Sequence, residues 1–185
     1  MKILGGRLKG RVVKSPNVYT TRSITACLLK SIFDSCQFFI EDSIVCDLFA
    51  GSGIIGMEAL SRGARLSYFV DINPIAIKSI KENLKNLNLE QQSKVFIGDS
   101  FDLLLKLNIK FDILFLDPPY TVGESGYFNL LILVDNYLKT HRDNCHIYLE
   151  APSQLANSIE KFIPSMCKLI KIKKSSTTTL FHFSS

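Results

Sequence analysis

The chain has 185 residues, 46% of them hydrophobic and 21% charged, with a net charge of +5; that is length enough for one domain with its own core and too apolar to stay disordered. Five cysteines without C-x-x-C spacing and three histidines without ligand-like spacing suggest neither a disulfide framework nor a zinc site, so no metal is expected. No apolar run reaches the length of a membrane span and MKILGGRLKG lacks the apolar stretch of a secretory signal, which leaves a cytoplasmic monomer as the default.

Residues 1–20 read as a short extended arm punctuated by glycine, and residues 22–39 as a helix with Leu28, Leu29, Ile32 and Phe33 on one face. The helix is expected to pack on the domain; whether the arm does is left open. From residue 44 onward short apolar runs alternate with helical periodicity. SIVCDLF reads as a strand, GIIGMEALSRGA as a helix, LSYFVDI as a strand and PIAIKSIKENLKNLNL as a helix. KVFIGD, DILFLD and CHIYLEA continue the strands, with helical SFDLLLKL, FNLLILVDNYL and SQLANSIEKFI between and after them. TVGESGY, with two glycines and little apolar content, is read as a loop or a lid. KLIKIKK and TTLFHF close the chain as two strands joined through SSTT, too short a link for anything but an antiparallel pair. The pattern is α/β, a mostly parallel sheet with an antiparallel C-terminal strand and helices on both faces. No linker or repeat divides it, so residues 1–185 are taken as one domain, with residues 1–40 as basic arm and helix and residues 41–185 as the core.

The charge is unevenly placed. The first 33 residues carry seven basic side chains and no acid, while the rest carry fifteen basic and seventeen acidic ones. After Glu160 the chain is again free of acids, with Lys161, Lys168, Lys171, Lys173 and Lys174. Two basic ends around a mildly acidic middle suggest a polyanion such as nucleic acid, although a solvated basic surface has the same composition. Arg7, Lys9 and Arg11 in the arm, Arg22, and Lys173 and Lys174 near the last strands are the candidates for phosphate contacts.

The first core strand runs into DLFAGSGIIG, so Gly51, Gly53 and Gly56 form G-x-G-x-x-G between a strand and a helix, with Asp71 following at the end of the second strand. That spacing alone satisfies a dinucleotide fingerprint, and a nicotinamide or flavin oxidoreductase competes on it. Asp47, just before the loop, tilts the balance: a pyrophosphate would meet a like charge there, whereas a cationic ligand would not. S-adenosylmethionine carries an ammonium, a sulfonium and an adenosine but no phosphate. In that reading Asp47, Gly51 and Gly53 form the loop, Asp71 accepts from the ribose and Asp99 from the adenine amino group. Three acids at successive strand ends line the edge where ligands bind in open α/β folds.

DLFAGSGIIGMEALSRGA, LDPPY and GGRLKGR together resemble the RsmD family, across most of the chain. The resemblance implies a Rossmann-like class I methyltransferase that uses S-adenosylmethionine and modifies the exocyclic N2 of a guanine in small-subunit 16S ribosomal RNA, guanine 966, within an assembled or partly assembled subunit. Two regions depart from the family. Arg22, Ser23 and Ile24 stand where members usually have R-P-T and Leu29 where they have arginine; a glycine usual before the last strand is missing from KKSSTTTLFHF. These changes bear on RNA docking rather than on the chemistry.

FDILFLDPPY supplies the chemistry. Pro118 and Pro119 stop the strand and stiffen the turn that presents Asp117 and Tyr120. An exocyclic amine is a poor nucleophile because its lone pair is delocalised into the ring. Asp117 with the Pro118 carbonyl is suited to accept both amino hydrogens and stabilise the charge that develops, while Tyr120 stacks on the base. The same set fits an adenine N6 methyltransferase on DNA or RNA, or a protein glutamine methyltransferase; a non-catalytic RNA-binding assembly factor on the same fold is the further alternative.

Overall fold

Strands that are apolar on both sides must be covered on both faces, and the computed structural model, which describes residues 1–16, 24–141 and 144–185, shows that cover. Counted over the described residues, seven strands form one sheet: β1 (Ile44–Asp47), β2 (Leu66–Asp71), β3 (Ser93–Ile97), β4 (Ile113–Leu116), β5 (His146–Pro152), β6 (Lys168–Lys174) and β7 (Thr178–Ser184). Their order is β3-β2-β1-β4-β5-β7-β6. β1 pairs in parallel with β2 and β4, β2 with β3, and β4 with β5. β7 is inserted antiparallel between β5 and β6. All four residues of β4 are buried, as a central strand between two helical layers requires.

The helices are α1 (Ala26–Cys36), α2 (Ile54–Ser61), α3 (Pro74–Leu87), α4 (Ser100–Lys106), α5 (Gly123–Thr140) and α6 (Ala156–Lys161). Leu29 and Phe33 of α1, Met57 of α2 and Ile80 of α3 pack on one face with Val45, Phe69 and Phe115. Leu104 of α4, Leu130 and Tyr137 of α5 and Ile159 of α6 pack on the other with Leu114, Leu116 and Phe181. Local chemistry sets where each helix starts. The Thr25 hydroxyl accepts from Leu28 N–H, Asn73 caps α3 just before Pro74, and Asp99 caps α4. Asn73 and Asp99 follow β2 and β3, so α3 and α4 begin near the carboxyl edge of the sheet.

Two segments differ from the sequence expectation. TVGESGY is neither loop nor lid: Tyr120–Val122 is a short 3-10 turn and α5 begins at Gly123. Tyr127 is fully buried in the core beneath this first turn, and burial of that ring outweighs the poor helix propensity of Gly123 and Gly126. The arm, in turn, is docked on the domain. Residues 2–13 fold back on themselves, with Ile3 N–H donating to the Arg11 carbonyl and Lys2 bridged to Val12, and they bury Ile3 and Val13.

The dock is the C-terminal turn of α2. Glu58, wholly buried, accepts from Leu4 N–H at 2.6 Å and from Arg62 Nε at 2.6 Å. The Ser61 hydroxyl donates to the Gly5 carbonyl and accepts from Leu8 N–H. Farther along, Lys14 N–H donates to the Asn83 side chain of α3, whose amide donates to the carbonyls of Lys14 and Ser52. GGRLKGR and EALSRGA are therefore two halves of one contact. Gly6 has φ +71, and a β-carbon there would overlap the Ser61 carbonyl.

Gly6→Ala is expected to undock the arm at a cost of about 1–3 kcal/mol. The readout is a lowered Tm together with faster tryptic cleavage at Arg7, Lys9 and Arg11, while Lys9→Ala, at an exposed position, leaves the Tm unchanged.

Candidate active site

β1 ends at Asp47, and the chain turns through Gly51 and Gly53 into α2. Asp47 is 1% exposed, and its carboxylate accepts from Gly56 N–H at 3.2 Å. A carboxylate at a helix N-terminus is favourably placed, but the burial is severe. Burial pushes the Asp47 pKa up to about 7; the Gly56 hydrogen bond opposes the rise and the charge of Asp71 adds to it. Gly53 adopts φ +78 and packs against Met57 and Ile80, while Gly56 lies so close to Phe69 and Ser67 that a β-carbon would overlap them.

Asp47 and Gly53 were expected to face a ligand, and neither lines the cavity. The physical reason is the same for both. The loop is narrow, and these residues form its buried side, holding it onto the sheet. Gly51 does face the cavity.

The cavity, of about 760 Å³, lies at the carboxyl edge of the sheet where β1 has neighbours on both sides, the switch point at which open α/β folds bind ligands. Asp71 and Asp99 both line it. Asp71 is fixed by accepting from Gly51 N–H and Asn73 N–H, each at 2.8 Å. Asp99 accepts from Phe101 N–H at 2.8 Å. Phe49, Ile72 and Phe101 supply apolar walls beside them, with Phe49 and Phe101 meeting edge to face at 6.1 Å.

On the far side of the cavity β4 delivers Asp117, Pro118, Pro119 and Tyr120. The Tyr120 hydroxyl lies 2.9 Å from Thr178 Oγ1 and donates to Glu150 Oε1 at 3.3 Å, so two other strands hold the ring in place. Glu150 is 6% exposed and also lines the cavity. It was missed in the sequence, although CHIYLEA carries an acid near its end, as the four strands before it do at or just beyond theirs. Thr25, Cys27 and Leu28 of the first helix line the cavity as well, and the sequence offered no sign of this beyond the apolar face.

The basic candidates separate. Lys173 lines the cavity. Lys174 is exposed and paired with Glu160 at 2.7 Å. Arg7 is bonded to Gln92 and Arg11 to the Asn86 carbonyl at 3.0 Å, beside the C-terminal end of α3. That end lies roughly 20 Å from the Asn73 cap at the cavity, by the rise per residue of a helix, so the arm's basic tip sits toward the opposite edge of the sheet. Arg22 lies outside the described residues. Among the described residues no group of three or more His, Cys, Asp or Glu is arranged to hold a metal ion, and no helix is long and apolar enough to cross a membrane.

The residues present fit a cationic, phosphate-free nucleoside ligand. At the start of α2 the Gly56 N–H already serves Asp47, and Ile54 N–H faces the Ser52 hydroxyl, so two of the donors that would cradle a pyrophosphate are engaged. Lys173, on the distant edge strand, is the one Lys or Arg among the described lining residues.

The family described as Conserved hypothetical protein 95 matches residues 1–184. The chain is 38% identical over 146 residues to "Putative rRNA methyltransferase YlbH" of Bacillus subtilis, covering 77% of this chain and 78% of the relative. It is 32% identical over 148 residues to "Ribosomal RNA small subunit methyltransferase D" of Buchnera aphidicola, covering 80% of this chain and 76% of the relative. The solved structure "Putative methyltransferase yhhF from Escherichia coli" matches with a TM-score of 0.81 at 24% identity, over 100% of this chain and 97% of that one, a likeness of fold.

Asp47 gives the stability a pH dependence of known sign. Its folded pKa of about 7 lies above the ordinary 3.8, so its contribution is fully present below pH 3.8 and is lost as the pH rises toward 7. Asp47→Asn, which keeps the shape and loses the charge, is expected to gain on the parent by on the order of 2–3 kcal/mol between pH 5 and pH 8. Denaturant unfolding of both proteins at the two pH values is the check, and a difference that does not change with pH counts against a raised pKa.

Proposed function

The chain belongs to the RsmD family of methyltransferases, described as Conserved hypothetical protein 95, and from that membership we propose that it methylates the exocyclic N2 of a guanine in small-subunit ribosomal RNA. The observation that carries the proposal is one cavity with two acidic ends. Asp71 and Asp99 lie among apolar walls on one side and Asp117 with Tyr120 on the other, room for a nucleoside cofactor and a base to meet. The printed names of the relatives support an RNA substrate.

The cofactor in this reading is S-adenosylmethionine, which when bound would supply an electrophilic methyl group on a sulfonium. Asp71 would accept from the ribose hydroxyls and Asp99 from the adenine amino group, with Phe49, Ile72 and Phe101 covering the faces of the adenine. Asp47 acts from behind, by holding the loop through Gly56 N–H.

At the other end Asp117 and the Pro118 carbonyl accept the two hydrogens of the guanine amine and turn its lone pair out of the ring plane. Positive charge grows on the nitrogen as it is alkylated, and a fixed carboxylate stabilises it by several kcal/mol. Guanine presents N1–H and N2–H side by side, a pair of donors that suits a carboxylate; adenine presents a donor beside an acceptor. Tyr120 stacks on the base. Glu150 and Thr178 position that ring through its hydroxyl. Lys173 on the cavity rim contacts a flanking phosphate, and the arm's Arg7, Lys9 and Arg11 contact RNA only where the substrate extends to the far side of the domain.

Methyl transfer from labelled cofactor is the test, with undermethylated small subunits, naked ribosomal RNA and DNA as parallel acceptors and mass spectrometry of the released nucleosides. The expected product is N2-methylguanosine from the RNA-containing acceptors. N6-methyladenine, or stabilisation of the protein by NAD(P) and not by S-adenosylmethionine, overturns the reading. Asp117→Ala is expected to lower kcat on the order of 10²–10³-fold with cofactor affinity unchanged, and Tyr120→Phe, which keeps the ring, to be milder.

A further inference from the structure

We propose that Lys168, Lys171 and Lys173 form a track on the outer edge strand for the phosphodiester backbone of the RNA that flanks the target base. The inference rests on the RNA reading above and assigns it a surface. β6 is the last strand of the sheet and pairs with β7 alone. Its register sets Lys168 opposite Ser184, Lys171 opposite His182 and Lys173 opposite Leu180. Ser184, His182 and Leu180 alternate along β7 and so share one face, and the three lysines share it with them.

In a regular strand residues three apart point to opposite faces. The register of β6 shifts between Leu169 and Lys171, so Ile170 is an extra residue, 56% exposed, of the kind a β-bulge inserts. Its effect is to bring Lys168 onto the same face as Lys171 and Lys173. Leu169 and Ile172 take the other face and pack against the core with Phe181 and Phe183. Lys174 also leaves the row, to pair with Glu160. The three lysines of the row are exposed, and no ion pair is formed by them among the described residues. From the spacing of their β7 partners the row is roughly 14 Å long.

Lysines on an edge strand also discourage pairing with other chains. What that role leaves unexplained is where the row ends. Leu116 pairs with Leu149, Glu150 pairs with Leu180, and Leu180 pairs with Lys173. Asp117, one residue beyond Leu116, therefore stands at the head of a cross-strand line that runs through Glu150 and Leu180 to Lys173. Asp117, Glu150 and Lys173 all line the cavity. A row of evenly spaced cations that starts at the proposed base site and leads outward fits a strand of regularly spaced single negative charges, which is the chemistry of an RNA backbone.

The test uses the full chain with Lys168→Ala and Lys171→Ala combined, and measures KM for RNA against salt concentration, kcat, and cofactor affinity. Loss of two phosphate contacts is expected to raise KM roughly tenfold at moderate salt and to lower the slope of log affinity against log salt by about 1.4. kcat at saturating RNA and cofactor affinity should not change, and the paired Lys→Arg variant should behave as the parent. If the alanine variant associates through its bared edge, the Lys→Gln pair carries the same measurement. Unchanged KM and slope in a protein that still methylates RNA would sink the track and leave the function standing. Failure of the unmodified protein to methylate RNA at all would overturn the function, and the track with it.

Discussion

A carboxylate buried beneath a helix N-terminus is tolerable only if backbone donors meet it, and the bond between Asp47 and Gly56 N–H is the constraint on which the site depends. It ties the end of β1 to the start of α2 across the glycine loop, and Gly56 packed on Phe69 keeps the two elements at the distance the bond needs. The same bond consumes a donor that a phosphate would use. What remains for the cavity is a loop with a buried carboxyl behind it and the carboxylates of Asp71 and Asp99 on its wall, an environment that disfavours a further anion. Discrimination against a phosphate is thus built into the way the first strand meets the first core helix.

The other end of α2 is held as firmly. All eight residues of this helix are buried, so it has no solvated face through which errors in its placement could be relieved. Glu58 and Ser61 bind the backbone of the arm, and the Arg62 guanidinium lies over the Phe33 ring at 5.1 Å. Asn83 of α3 bonds both the arm and the Ser52 carbonyl of the glycine loop. A basic segment that looks made for RNA therefore also serves as a latch on the helix that carries the cofactor loop. Its glycines answer to that packing, and its charges to the solvent side.

The sheet and its order of elements were legible because strand and helix periods differ, and because the first four strands end in an acid or run into one within two residues. Asp71, Asp99 and Asp117 fell in the cavity on that basis alone. Glu150 reaches the same edge from within its strand, two residues before the strand ends at Pro152, and was passed over because it does not stand at the strand's end. Asp47 and Gly53 were placed on the right loop but on its wrong side, since spacing along the chain does not say which residues of a tight turn point inward. The docking of the arm was not legible at all. It depends on contacts between residues more than fifty positions apart, and only the fold brings Gly5 to Ser61.

The antiparallel strand at the end of the chain looks like an appendage in the sequence, yet its direction is what completes the Asp117 end of the cavity. β6 runs with β5 and so finishes at the carboxyl edge; β7 turns back from there, so its first residue, Thr178, lies at that edge too. A parallel β7 would have begun at the opposite edge, roughly 20 Å away over seven residues. The reversal brings Thr178 to the Tyr120 hydroxyl and sets Ser175 and Thr177 on the cavity wall. The stiff turn after β4 fixes the backbone of Tyr120, but a ring has its own torsions. It is the hydrogen bonds to β5 and β7 that fix those, so the orientation of the Tyr120 ring is a property of three strands rather than of the proline turn alone.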